Sequence, residues 1–343
     1  MNAKTAAAVA AAVGTVSAVA LRRRSAYSFR GRSVIITGGS RGLGLLLARA
    51  LAAEGAILTL LARDGGELAR AKEELAAAGA SVAALECDVR SREAVEEAVA
   101  WAVEHWGGVD VLINNAGIIQ VGPLEHMGLE DFGDAMDTHF WGALYGVMAV
   151  LPHMRRQRSG RIVNIASIGG KVAVPHMAPY SASKFALVGL SQGLRHELVK
   201  HRIHVTTVSP GLMRTGSTAR AQFKGQHEKE YAWFALAGSS PLASISGERA
   251  ARKIIEACRR GDPELIITPQ ARALVLANAL IPAAVAHALT LVSLLLPEPD
   301  SVEGDRRKEG WESRSSRAPV TLTRLSDEAS VRNNELPLPA APG

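Results

Sequence analysis

The stretch Ser33-Val-Ile-Ile-Thr-Gly-Gly-Ser-Arg-Gly-Leu-Gly44 constrains this chain more than any other. Strand-forming Val34 to Ile36 run into a glycine cluster, and the chain passes at once into Leu45-Leu-Leu-Ala-Arg-Ala-Leu51, whose composition favours a helix. Strand, tight loop and helix in that order make a phosphate cradle. Glycines let the backbone take positive φ and come close to a ligand, while the free N–H groups and positive dipole end of the new helix face an anion. The spacing Gly38-x3-Gly42-x-Gly44 differs from the common dinucleotide fingerprint G-x-G-x-x-G. The loop alone leaves open a glycine-rich turn that binds nothing.

The second strand narrows the choice. Ala56-Ile-Leu-Thr-Leu-Leu-Ala-Arg63 reads as a buried strand from its continuous apolar run. In a nucleotide-binding βαβ unit the end of this strand meets the adenosine ribose, where an acidic residue accepts from the 2′-hydroxyl and an arginine neutralises a 2′-phosphate. This chain offers Arg63, with Arg41 in the glycine loop as a second cation, and both favour NADP(H) over NAD. Asp64 reads as the N-cap of the next helix, Glu67 to Ala78.

Strands at Ser81 to Leu85 and Val109 to Ile113 alternate with a helix at Glu93 to Glu104, which implies a parallel, doubly wound sheet with ligands at the carboxyl ends of its strands. Asn114-Asn-Ala-Gly117 sits at such an end. A helix over about Leu129 to Leu151 carries His139, and the strand Arg161 to Ser167 comes after it. Thirteen residues later stands Tyr180-Ser-Ala-Ser-Lys184, whose tyrosine and lysine share one helix face at i and i+4. A phenol titrates near pH 10, and a neighbouring ammonium stabilises the phenolate and brings that value toward neutrality. Ser167 can fix a substrate oxygen by hydrogen bonding. Each of the three also has a plain structural role open to it.

Taken together, Thr37 to Gly44, Asn114 to Gly117, Ser167, Tyr180-x3-Lys184 and Pro210-Gly211 resemble the short-chain dehydrogenase/reductase family in order and spacing, over about Phe29 to Thr268. The resemblance extends to membrane-associated members such as 3-ketosphinganine reductases and hydroxysteroid dehydrogenases. It implies a Rossmann-type domain with helices on both faces that transfers hydride between a nicotinamide and a carbonyl or alcohol carbon. By the same resemblance Tyr180 is the general acid, Lys184 lowers its pKa and binds the nicotinamide ribose, and Ser167 orients the carbonyl. Thr37, Gly38, Ser40, Arg41, Gly42, Leu43 and Gly44 hold the phosphates, with Arg63 at the ribose phosphate. Asp88 and Val89 border the adenine, Asn114, Ala116 and Gly117 the adenosine side, and Pro210, Gly211 and Thr215 the nicotinamide amide. The family usually places an asparagine, which supports a proton-relaying water, where this chain has His139; no asparagine lies between Asn115 and Asn164. A packed neutral histidine and a functional one are both open.

The ends of the chain differ in character from this domain. Residues 1–28 contain an Ala- and Val-rich run, Ala6 to Leu21, with Arg22-Arg-Arg24 directly after it, which reads as a membrane anchor with the rest of the chain in the cytoplasm, as a surface helix, or as a cleaved signal. After the domain at 29–268, residues 269–297 are nearly continuous apolar sequence that Pro282 divides into two helices too short to span a bilayer. They suit a membrane surface, a flap beside the substrate mouth or a dimer contact. Residues 298–343 are polar, charged and proline-containing, which predicts a disordered tail.

Composition removes other classes. The arginine clusters carry no interleaved aromatics, so no nucleic-acid partner is expected, and two cysteines, Cys87 and Cys258, form neither a disulfide framework nor a metal site. The reading is an NADPH-dependent reductase of a lipophilic carbonyl compound at a membrane surface. A non-catalytic dinucleotide-binding scaffold and a soluble reductase of small ketones, with the apolar ends buried in a homo-oligomer, are the alternatives.

Overall fold

The computed structural model describes residues 27–241, 243–300 and 302–336, so the expected N-terminal anchor or surface helix falls almost entirely outside the described residues. Seven strands form the central sheet: β1 Ser33–Thr37, β2 Ile57–Ala62, β3 Val82–Glu86, β4 Val111–Asn114, β5 Gly160–Ile165, β6 Ile203–Ser209 and β7 Glu264–Ile266. Their spatial order is β3-β2-β1-β4-β5-β6-β7, and every pairing is parallel. Val34 of β1 is in register with Leu58 on one side and Val111 on the other, so β1 is buried along its whole length, as its unbroken apolar run requires. The order of winding reverses between β1 and β4. A crevice opens at the carboxyl ends of the strands there, and the glycine loop leaves β1 directly into it.

The helices are α1 Gly42–Ala53, α2 Gly65–Ala77, α3 Arg92–Trp106, α4 Leu129–Met136, α5 Gly142–Gln157, α6 Ala178–Leu198, α7 His227–Ser239, α8 Gly247–Arg260, α9 Pro269–Leu280, α10 Pro282–Ser293 and α11 Val320–Arg332. Leu47 and Leu51 of α1, Leu68 and Leu75 of α2 and Ile254 of α8 fill one face of the sheet. Val99 of α3, Val147 and Val150 of α5 and Leu198 of α6 fill the other, which gives the doubly wound, Rossmann-type arrangement. Caps agree with the sequence: the Asp64 side chain accepts from the Glu67 N–H at 2.8 Å, and Ser91 accepts from the Ala94 N–H at 3.1 Å.

Three expectations change. The single helix read over Leu129 to Leu151 is instead α4, a π-helical turn at Asp137–Trp141 and α5, so His139 sits where the helical ladder slips by one residue. The stretch from Gly216 to Gly247, which has no regular pattern in sequence, holds α7 and two short strands, Gln222–Phe223 and Ser244–Ser246.

The third change concerns the tail expected to be disordered from residue 298: most of its described part, 302–336, folds back onto the domain. Lys308–Glu309 pairs antiparallel with Gln222–Phe223, and α11 lies against α7 with the Ser239 hydroxyl donating to Ser326 at 2.8 Å. Arg307 reaches Asp131 and Asp134, each at 2.8 Å. A polar segment lacks a core of its own, but here its polar groups find fixed partners on the domain, which composition alone does not register.

As expected, Pro282 separates α9 from α10, and no helix among the described residues is long and apolar enough to cross a membrane. The pair nevertheless leaves Leu276, Leu280, Ile281, Leu291, Leu294 and Leu295 exposed.

Candidate active site

A cleft of about 990 Å³ runs along the carboxyl ends of the strands, from the glycine loop past β5 to α7 and α9. At one end the loop is shaped by close approach. Gly38 has φ +64, and a Cβ there would lie 2.9 Å from the Ala116 Cα. A Cβ on Gly44 would lie 1.9 Å from the Gly38 carbonyl oxygen. Only glycines let β1, the loop and α1 meet the Asn-Asn-Ala-Gly turn this tightly.

That turn is tied to the loop by Thr37, whose hydroxyl accepts from the Asn115 and Ala116 N–H groups at 3.0 Å each, and by the Asn115 side-chain amide, which donates to the Thr37 and Gly38 carbonyls. Gly38, Ser40, Arg41, Gly42, Leu43, Ala116 and Gly117 line the cleft. Thr37, Gly44 and Asn114 do not; they lie beneath it and hold its floor. Asn114 is the last residue of β4, and its amide donates to the side chain of its register partner Asn164 at 2.8 Å. Asn115, the next residue, lines the cleft while its amide holds the loop carbonyls.

Arg63 and Asp88 stand at the ends of β2 and β3 and line the same cleft beside Val89. Arg63 is exposed. Burial would raise the Asp88 carboxyl, but hydrogen bonds from Arg90, with an ion pair at 2.6 Å, hold it below the usual carboxylate range. Arg41 is more committed than the sequence suggests: its guanidinium donates to both oxygens of the buried Glu67, at 2.8 and 2.7 Å.

Midway along the cleft, Ser167 stands two residues past the end of β5, and its Oγ accepts from the Gly169 N–H at 3.0 Å. Pro179 at the first turn of α6 starts that helix just before Tyr180, a position that its fixed φ and missing N–H suit. Lys184 stands one turn later, buried to 4% exposure, with Nζ donating to the Ile165 carbonyl at 3.0 Å and lying 5.7 Å from the Tyr180 ring centre. Burial pushes the Lys184 ammonium down to about 7. It also pushes the Tyr180 phenol above its ordinary value, against the opposing hydrogen bond with Ser167. A phenol that holds its proton beside an ammonium of reduced pKa is a proton donor to a carbonyl oxygen, with the lysine able to stabilise the phenolate left behind.

His139 is fully buried and belongs to the frame of this site. Its Nε2 accepts from the Ile118 N–H at 3.1 Å, so Nδ1 carries the proton and donates to the Ser183 hydroxyl at 2.7 Å; Ser183 in turn donates to the Tyr180 carbonyl at 2.9 Å. Burial and the nearby Lys184 charge push its pKa well below the ordinary histidine value, so it is neutral at pH 7. The imidazole joins the turn after Gly117 to the helix of Tyr180. Pro210, Gly211 and Thr215 line the far wall, and the Pro210 carbonyl accepts from the Ile168 N–H at 2.8 Å.

Comparison with known proteins agrees with this geometry. Residues 32–225 match the short chain dehydrogenase family. The chain belongs to that family. Among its relatives, the oxidoreductase SadH of Mycobacterium tuberculosis is 35% identical over 249 residues, covering 72% of this chain and 89% of SadH. A ketoacyl reductase of Streptomyces coelicolor is 41% identical over 187 residues, 54% of this chain and 72% of the relative. A 3-ketodihydrosphingosine reductase of Bacteroides thetaiotaomicron is 38% identical over 198 residues, 57% of this chain and 70% of the relative. The short chain dehydrogenase is thus an oxidoreductase of the ketoreductase and dehydrogenase type that uses a nicotinamide dinucleotide.

The residues present fit such a group: the positive-φ glycines at the start of α1 leave a cradle that a Cβ would fill, and the exposed Arg63 stands at the ribose end. Residues not anticipated from sequence also line this cleft, namely Glu67, Arg220, Glu309 and Glu335. No local pattern marks them, since they reach the site from distant parts of the chain.

Proposed function

We propose that this dehydrogenase is an NADPH-dependent reductase of a lipophilic ketone, working at a membrane surface. The observation that carries the reading is the placing of Ser167, Tyr180 and Lys184 midway along one cleft, between the glycine loop and an apolar wall. Val174, Met177, Trp233, Phe234 and Leu274 make that wall, and all but Leu274 belong to the apolar cluster that Tyr180 packs against. Leu274 belongs to α9, whose neighbours Leu276, Leu280 and Ile281 are exposed, so the apolar lining continues outward from the mouth of the cleft. An apolar surface at the mouth gives a lipid-like ketone a route that avoids water, and it suits the interfacial placing of α9 and α10.

Bound along the glycine loop, the nicotinamide cofactor supplies the hydride. Ser167 donates a hydrogen bond to the ketone oxygen and so polarises it, while Tyr180 gives that oxygen its proton. Lys184 stabilises the resulting phenolate, and His139 keeps the helix of Tyr180 in register with the Gly117 turn. Arg63 supports NADPH over NADH, because it is the exposed cation at the end of β2 where a 2′-phosphate is read.

Steady-state reduction of straight-chain ketones with NADPH and NADH, in wild type and Arg63→Asp, tests both halves of this reading. Wild-type kcat/KM rises with chain length and favours NADPH. The charge reversal cuts that preference by roughly tenfold, the size expected of one solvent-screened charge contact. Equal preference in the two proteins overturns the cofactor assignment, and a flat chain-length series overturns the lipophilic substrate.

A further inference from the structure

The C-terminal segment does more than pack on the domain: it reaches the phosphate cradle. The Gly42 N–H, the first amide of α1, donates to the Asn333 carbonyl at 2.8 Å, and no side chain caps that helix. Asn333 is anchored on both sides, donating to the Thr215 carbonyl at 3.0 Å and accepting from Arg49 at 2.9 Å. Asn334 donates to the Ser40 carbonyl at 3.0 Å and the Glu67 carbonyl at 3.1 Å. Glu335 comes next, 3% exposed, with its backbone carbonyl accepting from Arg220 at 2.8 Å. Its carboxylate meets Arg41 at 3.3 Å and lies over the open face of Gly42, in the space where a Cβ would stand. The oxygen in that ion pair, Oε2, is buried and accepts no hydrogen bond.

These contacts place an anion and a carbonyl where the loop is built to receive phosphate. Both cations near the loop are taken up as well, since Arg41 and Arg220 each hold Glu67 at 2.7 Å. A second anion brought to the same helix end meets the Glu335 charge at short range in a poorly solvated site, where like charges repel strongly.

We propose that Asn333-Asn334-Glu335 is an internal competitor for the cofactor's phosphates, so that binding the dinucleotide lifts Glu335 away from Gly42. This rests on the reading of the glycine loop as the dinucleotide site. The segment thereby sets cofactor affinity: the chain binds dinucleotide more weakly than its loop allows, and anything that draws the C-terminus away raises that affinity. Burial pushes the Glu335 carboxyl up to about 7 against the opposing pull of Arg41 and Arg220, so its charge, and with it the competition, is present in full only above that pH.

Two readouts on the full chain test this. NADPH titration followed by cofactor fluorescence gives Kd for wild type and Glu335→Gln, which keeps the shape and removes the charge; the variant binds about tenfold tighter. Hydrogen exchange of the unaltered protein shows residues 333–336 protected alone and exchanging freely once NADPH is added. Unchanged or weaker binding by Glu335→Gln, or a segment that stays protected with NADPH bound, overturns the competitor. NADPH binding by neither protein overturns the dinucleotide site itself and the competitor with it.

Discussion

Tyr180→Phe lowers turnover by about a thousandfold, the scale of a lost general acid, while the Kd for NADPH changes little. The ring is held by more than its hydroxyl: it packs edge-on to His139 with centres 5.5 Å apart and lies against Gly169, where a Cβ would come within 3.2 Å of Cε1. Phenylalanine keeps these contacts and loses only the hydroxyl proposed to give up the proton. The glycine loop, proposed to bind the phosphates, lies at one end of the cleft, away from the Tyr180 hydroxyl, and is untouched. Pre-steady-state measurement with saturating NADPH separates the two effects. A variant that turns over ketone at the wild-type rate removes Tyr180 from the chemistry.

Gly44→Ala is the second large effect, and it acts through the backbone. The added Cβ would stand 1.9 Å from the Gly38 carbonyl oxygen, 2.8 Å from the Gly38 carbonyl carbon and 2.7 Å from Asn115 Nδ2. None of these is the end of a long side chain that could swing aside, so the loop must open and the Asn115 bonds to Thr37 and Gly38 must lengthen. The expected destabilisation is about 3 kcal/mol, at the upper end for overpacking, with dinucleotide binding lost as well. Gly189→Ala in α6 is the matched control: nothing lies within 4 Å of its Cβ, and alanine there raises stability by roughly 0.5–1 kcal/mol. Urea midpoints for the two variants read the contrast directly, and a Gly44→Ala protein as stable as wild type contradicts the close packing described for the loop.

The features legible in the sequence are local. The glycine loop, the turn after β4 and the Tyr-x3-Lys spacing each lie within a few residues, where helix and strand periodicity decide which groups share a face. Pro282 likewise marks the break between α9 and α10 without help from tertiary structure. The π turn at His139 is hidden, because no helix-breaking residue marks it and its imidazole finds partners at Ile118 and Ser183, 21 and 44 positions away. Sequence alone also does not show that Asn114 bonds Asn164, 50 positions away and in register with it across β4 and β5. The order of residues 302–336 is hidden for a larger reason. Asn334 meets Ser40 across 294 positions, and a tail whose polar groups pair with such distant partners has the same composition as one that pairs with none.

Hydride transfer is tested most directly by tracing the label from NADPH deuterated at the nicotinamide C4, on each face in turn, into a long-chain ketone. One of the two labelled cofactors is expected to deliver deuterium to the carbinol carbon of the alcohol, at a rate that Tyr180→Phe suppresses. If neither face yields labelled alcohol while NADPH is bound at saturation, this chain is not the ketone reductase described here.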